Sequence, residues 1–159
     1  MKSESRTLCY PPGMMSWQKD EFAISTDPAR IDLKRVHAFL SQAYWCAGIP
    51  IEVVKKSIDG SLPFGIYRGG EQIGFARVIT DYATIAYLGD VYVEPEWRGR
   101  GLSKWLMECI LAHPELQGLR RFCLLTKDAQ GLYAKFGFKN RENPTHYMEV
   151  LVKDLYRKS

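Results

Sequence analysis

The sequence lacks any run of about 18 uncharged apolar residues, the length a membrane-crossing helix needs. Its opening stretch, MKSESRTLCYPPG, has no apolar core, so a secretory signal is not expected. Cysteine is scarce: the 4 residues Cys9, Cys46, Cys109 and Cys123 lie far apart, with no CxxC pair and no histidine at ligand spacing. That argues against a zinc site or a redox dithiol, predicts no bound metal, and fits reduced thiols in a cytoplasm. Charge of one sign is also missing. The 22 basic and 18 acidic residues leave a net +4, spread over both halves with no basic arm, so neither nucleic acid nor a membrane is an expected partner. No internal repeat, low-complexity tract or interdomain linker is present. What remains is the composition of a folded domain, 46% apolar and 25% charged. At 159 residues, such a chain can bury about two-thirds of its unfolded surface.

Residues 1–20 read as a peripheral segment, because Tyr10-Pro11-Pro12-Gly13 opposes regular structure, although Met14, Met15 and Trp17 suggest that it docks. Residues 21–159 read as one α/β domain. Phe22–Ser25 predicts a strand. Asp27 or Asp32 caps a helix carrying Leu33, Val36 and Leu40, and Ile51, Val54 and Ile58 predict a second. Leu62–Tyr67 and Gln72–Thr80 flank a Gly-Gly turn, a hairpin signal. Thr84–Val93 is apolar enough for a strand buried on both faces. Leu102, Trp105, Leu106, Cys109 and Ile110 then recur at helical spacing. Arg121–Leu125 predicts a strand, and Asp128 caps a helix that Gly137 ends in a left-handed turn. Phe138–Asn140 and Tyr147–Val152 are the expected closing strands. The predicted order is β-α-α-β-β-β-α-β-α-β-β, a mixed sheet with a parallel crossover.

Chemistry concentrates where the buried strand runs into a helix, at Val91-Tyr92-Val93-Glu94-Pro95-Glu96-Trp97-Arg98-Gly99-Arg100-Gly101-Leu102-Ser103. A glycine-containing turn before a helix leaves unpaired backbone N–H groups at the positive end of the helix dipole, which suits a phosphate or pyrophosphate. Read alone, Arg-Gly-Arg-Gly is more often a charged surface turn; its position between strand and helix favours the anion site. No GxxxxGK[ST] and no GxGxxG followed by an acid is present, so a P-loop or dinucleotide fold is not predicted.

These residues resemble the GNAT superfamily of N-acetyltransferases. Arg98-Gly99-Arg100-Gly101-Leu102-Ser103 follows its [Q/R]-x-x-G-x-[G/A] hallmark, with Ser103 at the last position and Val93-Glu94-Pro95 before it. Ala129-Gln130-Gly131-Leu132-Tyr133-Ala134-Lys135-Phe136-Gly137-Phe138 follows a second hallmark, with Thr126 replacing its leading Asn. The resemblance implies an acetyl-CoA cofactor lying between two splayed central strands. It implies contacts from Val91, Tyr92 and Val93 to the pantetheine and thioester, and from Arg98 to Ser103 to the pyrophosphate. Thr126, Asp128 and Ala129 would sit nearby, and Tyr133 would face the thioester sulfur. The acceptor is a primary amine of a small molecule or a protein, attacking the thioester directly; homodimer assembly stays open.

An alkylammonium must lose a proton before it attacks, and the family's usual glutamate position falls on Tyr87. Asp90 is the nearest carboxylate, a candidate base or simply a structural group; water could serve instead. Tyr44, Trp45, Phe64 and Arg77 are candidate acceptor contacts, with Ile49, Tyr67, Phe75 and His146 as further lining, though core packing explains most of the aromatics. Arg77 interrupts an apolar strand and would bind a substrate carboxylate or pair with Asp81 or Asp90. His37 and His113 are expected on helix surfaces. A non-catalytic acyl-CoA-binding module is the alternative function, and a nucleic-acid-binding domain a weaker third.

Overall fold

The computed structural model describes residues 6–9 (backbone alone) and 13–158. Among the described residues, seven strands form one sheet in sequential order: β1 (Arg6–Cys9), β2 (Met15–Lys19), β3 (Phe22–Ser25), β4 (Leu62–Arg68), β5 (Glu71–Thr80), β6 (Ile85–Val93) and β7 (Arg121–Leu124). All neighbours are antiparallel except β6 and β7, which run parallel, as a helical crossover requires. That crossover is α3 (Leu102–Leu111).

Helices cover both faces. α1 (Leu33–Leu40) and α2 (Ile51–Asp59) put Val36, Leu40, Val54 and Ile58 against Phe75 and Tyr92. On the other face α3 and the short α4 (Gln130–Ala134) pack Leu102, Leu106, Ile110 and Tyr133 with Ile24, Phe64, Ile66 and Leu88. Asp32 caps α1 through Arg35 N at 3.1 Å, while Asp27 caps the short 3-10 turn before it through Ala29 N at 2.9 Å. Gly137 takes φ 88° after α4, as expected.

The mixed α/β class agrees with the sequence; both ends of the element order differ. Residues 15–19, read as peripheral, are a paired strand whose Ser16 and Trp17 are buried. Tyr10–Pro12, invoked there as opposing regular structure, lie outside the described residues. Neither Phe138–Asn140 nor Tyr147–Val152 forms a strand; the second segment is exposed. A strand exists only with a lateral partner, and β7 offers an edge of only four residues.

Candidate active site

β6 and β7 are paired only from Ile85↔Arg121 to Leu88↔Leu124, yet β6 continues to Val93. Five residues of β6 therefore lack a neighbour on the β7 side. The geometry there is set by a bulge: Arg77 faces Gly89 and Phe75 faces Tyr92, so Asp90 and Val91 together oppose Ala76. Asp90 takes φ 54°, a left-handed value uncommon outside glycine and tolerated best by Asn and Asp. Beyond it, Glu94 N donates to Ile73 O at 2.8 Å. Ladder bonds alternate, so Val93 turns its own N–H and C=O toward the open edge. Its carbonyl accepts from Arg98 Nε at 2.9 Å. Arg98 thus clamps the strand end to the following turn.

That turn leads into α3. Gly101 is its N-cap at φ 76°, with no side chain supplying a capping bond, and Gly99 stands at φ 77°. A Cβ built on either glycine meets nothing within 4 Å. The first amides of α3 have no side-chain cap, the space beside both glycines is open, and the helix dipole adds positive potential there. Arg100 lies over the Trp97 ring at 4.9 Å from its centroid; Arg68 takes an equal distance.

Tyr133 projects from α4 with its ring 5.9 Å from that of Phe138, edge to face. Burial raises its phenol above the ordinary value, which keeps the proton on oxygen. Thr126 Oγ1 accepts from Ala129 N at 3.0 Å and so starts the turn before α4. Asp128, expected to cap α4, does not: the N-cap is Ala129, with no side chain supplying a capping bond.

Asp90 is fully engaged. Its Oδ2 accepts from Arg77 Nε at 2.6 Å and its Oδ1 from Trp45 Nε1 at 3.0 Å, while Arg77 Nη1 donates to Ser61 Oγ at 3.0 Å. Arg77, expected to bind a substrate carboxylate or to pair with Asp81 or Asp90, pairs with Asp90. The network ties the β6 bulge to Trp45, which borders a depression of about 380 Å³ between the α1–α2 connection and residues 150–157. Cys46 also lines it, and burial, reinforced by the Asp90 charge, pushes its thiol up to about 11. A thiol so protonated is no nucleophile.

A family model for the acetyltransferase (GNAT) domain matches residues 59–140. A crystal structure from Xanthomonas campestris, assigned to the GNAT family of acetyltransferases, is 52% identical, with a TM-score of 0.84 over 86% of this chain and 97% of that one. A Gibberella zeae protein described as an acetyltransferase is 32% identical over 143 residues, 76% of this chain and 80% of its own. The chain belongs to the GNAT superfamily. Glucosamine-6-phosphate N-acetyltransferase from Arabidopsis thaliana, at 18% identity and a TM-score of 0.59 over 84% of this chain and 99% of that one, shares the fold.

This GNAT chain is an N-acetyltransferase that takes its acetyl group from acetyl-CoA and passes it to an amine. The open edge of β6 and the uncapped start of α3 fit that cofactor, since one offers strand-like backbone bonds and the other anion-binding amides.

The structure corrects several expected residues. Phe64 is fully buried between Trp17 and His113, with ring centroids at 6.3 and 5.9 Å, on the sheet face away from the depression. Phe75, Tyr67 and Ile49 are core as well. His113 is not on a helix surface but buried, and His37 is partly buried, its Nε2 3.0 Å from Ile49 O. Tyr44 and Trp45 border the depression. Leu151, Val152 and Leu155 line it too and were missed. Their signal was an apolar run near the C-terminus, which reads equally well as a strand.

Proposed function

We propose that this acetyltransferase divides its site among three elements. The α3 N-terminus, from Gly99 to Ser103, holds the pyrophosphate. Val91, Tyr92 and Val93 on the free β6 edge hold the pantetheine arm and give amide donors to the oxygen that gains charge during transfer. Tyr133 returns a proton to sulfur, with Thr126, Asp128 and Ala129 shaping the nearby turn. Bound acetyl-CoA supplies a thioester whose carbon takes the amine nitrogen as its C–S bond breaks, leaving an amide, coenzyme A and the proton shed by the amine. Asp90 positions Trp45 and Arg77, and water at the open depression accepts the amine's proton, while Tyr133 regains from solvent the proton it gave to sulfur. The protonated state of Cys46 supports direct attack rather than a relay through a cysteine.

The observation that carries this reading is the loss of a β7 partner along Gly89–Val93 directly before an uncapped helix start. Acetyl-CoA at a hundredfold excess over its dissociation constant should stabilise the fold by about 2.7 kcal/mol. Gly101→Val puts a branched side chain into the left-handed region and into the open space at the α3 start. The ligand-induced shift, read by thermal denaturation, should largely disappear; an unchanged shift would place the pyrophosphate elsewhere.

A further inference from the structure

The depression beside the β6 bulge also bears on the acceptor, an inference that rests on the site reading above. One wall is aromatic. Tyr44 and Trp45 meet edge to face at 5.1 Å, Trp45 meets Phe39 at 6.4 Å, and Phe39 stacks on Tyr92 at 3.9 Å and 10°. The series runs from solvent to the strand whose free edge serves the cofactor. The opposite wall carries Leu151, Val152 and Leu155. Both walls are unusually exposed for such residues, with Tyr44 at 60% and Leu151 at 63%. A volume of about 380 Å³ is ample for a small organic molecule.

The carboxylates around it are paired. Asp154 is paired with Arg157 at 3.2 Å, and Asp90, behind Trp45, with Arg77 at 2.6 Å. Lys127 Nζ already stands 5.4 Å over the Tyr44 ring. A ligand with several ammonium groups needs several uncommitted carboxylates to offset their dehydration, and the lining side chains offer none. A flat apolar body with one amine matches both walls, gaining apolar burial and aromatic contact.

We infer that the acceptor is an arylalkyl primary monoamine whose ring lies between the Tyr44–Trp45 wall and the Leu151–Leu155 wall. Trp45 is the specificity-determining residue, held in orientation by Asp90. The test is calorimetric binding of 2-phenylethylamine, spermidine and kanamycin to the full chain saturated with coenzyme A. 2-Phenylethylamine should bind at least about tenfold more tightly than either polycation. Trp45→Ala should weaken 2-phenylethylamine about tenfold and leave the polycations within about twofold. Trp45→Phe keeps a ring but loses the bond to Asp90, and should weaken it by less than about threefold. Coenzyme A release from acetyl-CoA should rank the amines in the same order of kcat/KM. Tighter binding of spermidine or kanamycin, equal losses for every amine in Trp45→Ala, or no binding of 2-phenylethylamine to the coenzyme A complex would overturn the inference. If coenzyme A itself fails to bind, the site reading falls and takes this inference with it.

Discussion

Tyr133 is the side chain whose chemistry is most directly testable, because its role and its packing separate. Its hydroxyl pairs with no protein group among the described residues, while its ring packs beside Phe138. Tyr133→Phe should therefore leave stability nearly unchanged, where breaking a buried hydrogen bond would cost about 1 kcal/mol. Turnover should fall by roughly 10²–10⁴, the span for losing a positioned acid. The lower end is expected, since a thiol of pKa about 8.5 leaves tolerably as thiolate. Melting temperature, acetyl-CoA affinity and turnover on one preparation check this; full turnover in the variant would remove Tyr133 from the mechanism. At this scale the backbone of the glycine motif and the inward Tyr133 were legible, and the lining of the depression only partly. Gly99, Gly101 and Tyr133 sit in local patterns, whereas Phe64 lies in a strand apolar on both faces, where alternation cannot say which face looks at the ligand. Asp90 was legible as a carboxylate near the site, but its engagement by Arg77 and Trp45 depends on a bulge that no spacing rule reveals.

Among the elements, those with a capping or turn residue of their own were readable to within a residue or two: α1 with Asp32, the β4–β5 hairpin with Gly69-Gly70, and α3 after Gly101. The β5–β6 turn is a further case, and its cap carries a pH signature. Asp81 accepts from Thr84 Oγ1 at 2.6 Å and from the amides of Thr84, Ile85 and Ala83. These bonds, the Thr84 hydroxyl first, hold its carboxyl well below the usual range. A carboxyl depressed in the folded state adds stability that is complete above its unfolded pKa of about 3.9 and is lost as pH falls below it. Asp81→Asn should thus lower the melting temperature near pH 7 and flatten its decline below about pH 4. A parallel acid limb in variant and parent would show that the turn does not depend on this carboxylate. Exposure of the turn keeps the effect small, since solvent screens it. The C-terminal segment was misread because its apolar residues satisfy strand preference without any local mark of a partner.

Across the whole molecule the sheet divides the chain's tasks: one face is sealed by α3 and α4, and the other leaves a depression beside the α1–α2 connection. The sealed face depends on residues the sequence assigned to the periphery. Trp17 on β2 is buried, with its ring 6.3 Å from both Phe64 and His113. Nothing local marks this, since Trp17 completes a core made of residues distant in sequence. Trp17→Ala should cost about 3–5 kcal/mol, the range for emptying a large aromatic site; a merely docked segment would lose well under 1. His113 adds a second readout. Burial, the larger influence, holds its pKa below the ordinary value. A histidine kept neutral by the fold contributes fully above its unfolded pKa of about 6.5, and stability is lost as pH falls through that value toward the folded one. Removing the Trp17 ring lets water reach the imidazole, so the folded pKa rises toward the unfolded one and the acid-side loss shrinks. Urea denaturation of parent and Trp17→Ala at about pH 7.5 and about pH 5.5 measures both effects. The parent should lose stability between the two conditions, and the variant, weaker at each, should lose less. An equal pH-dependent loss in both proteins would mean that the β2 strand does not seal His113.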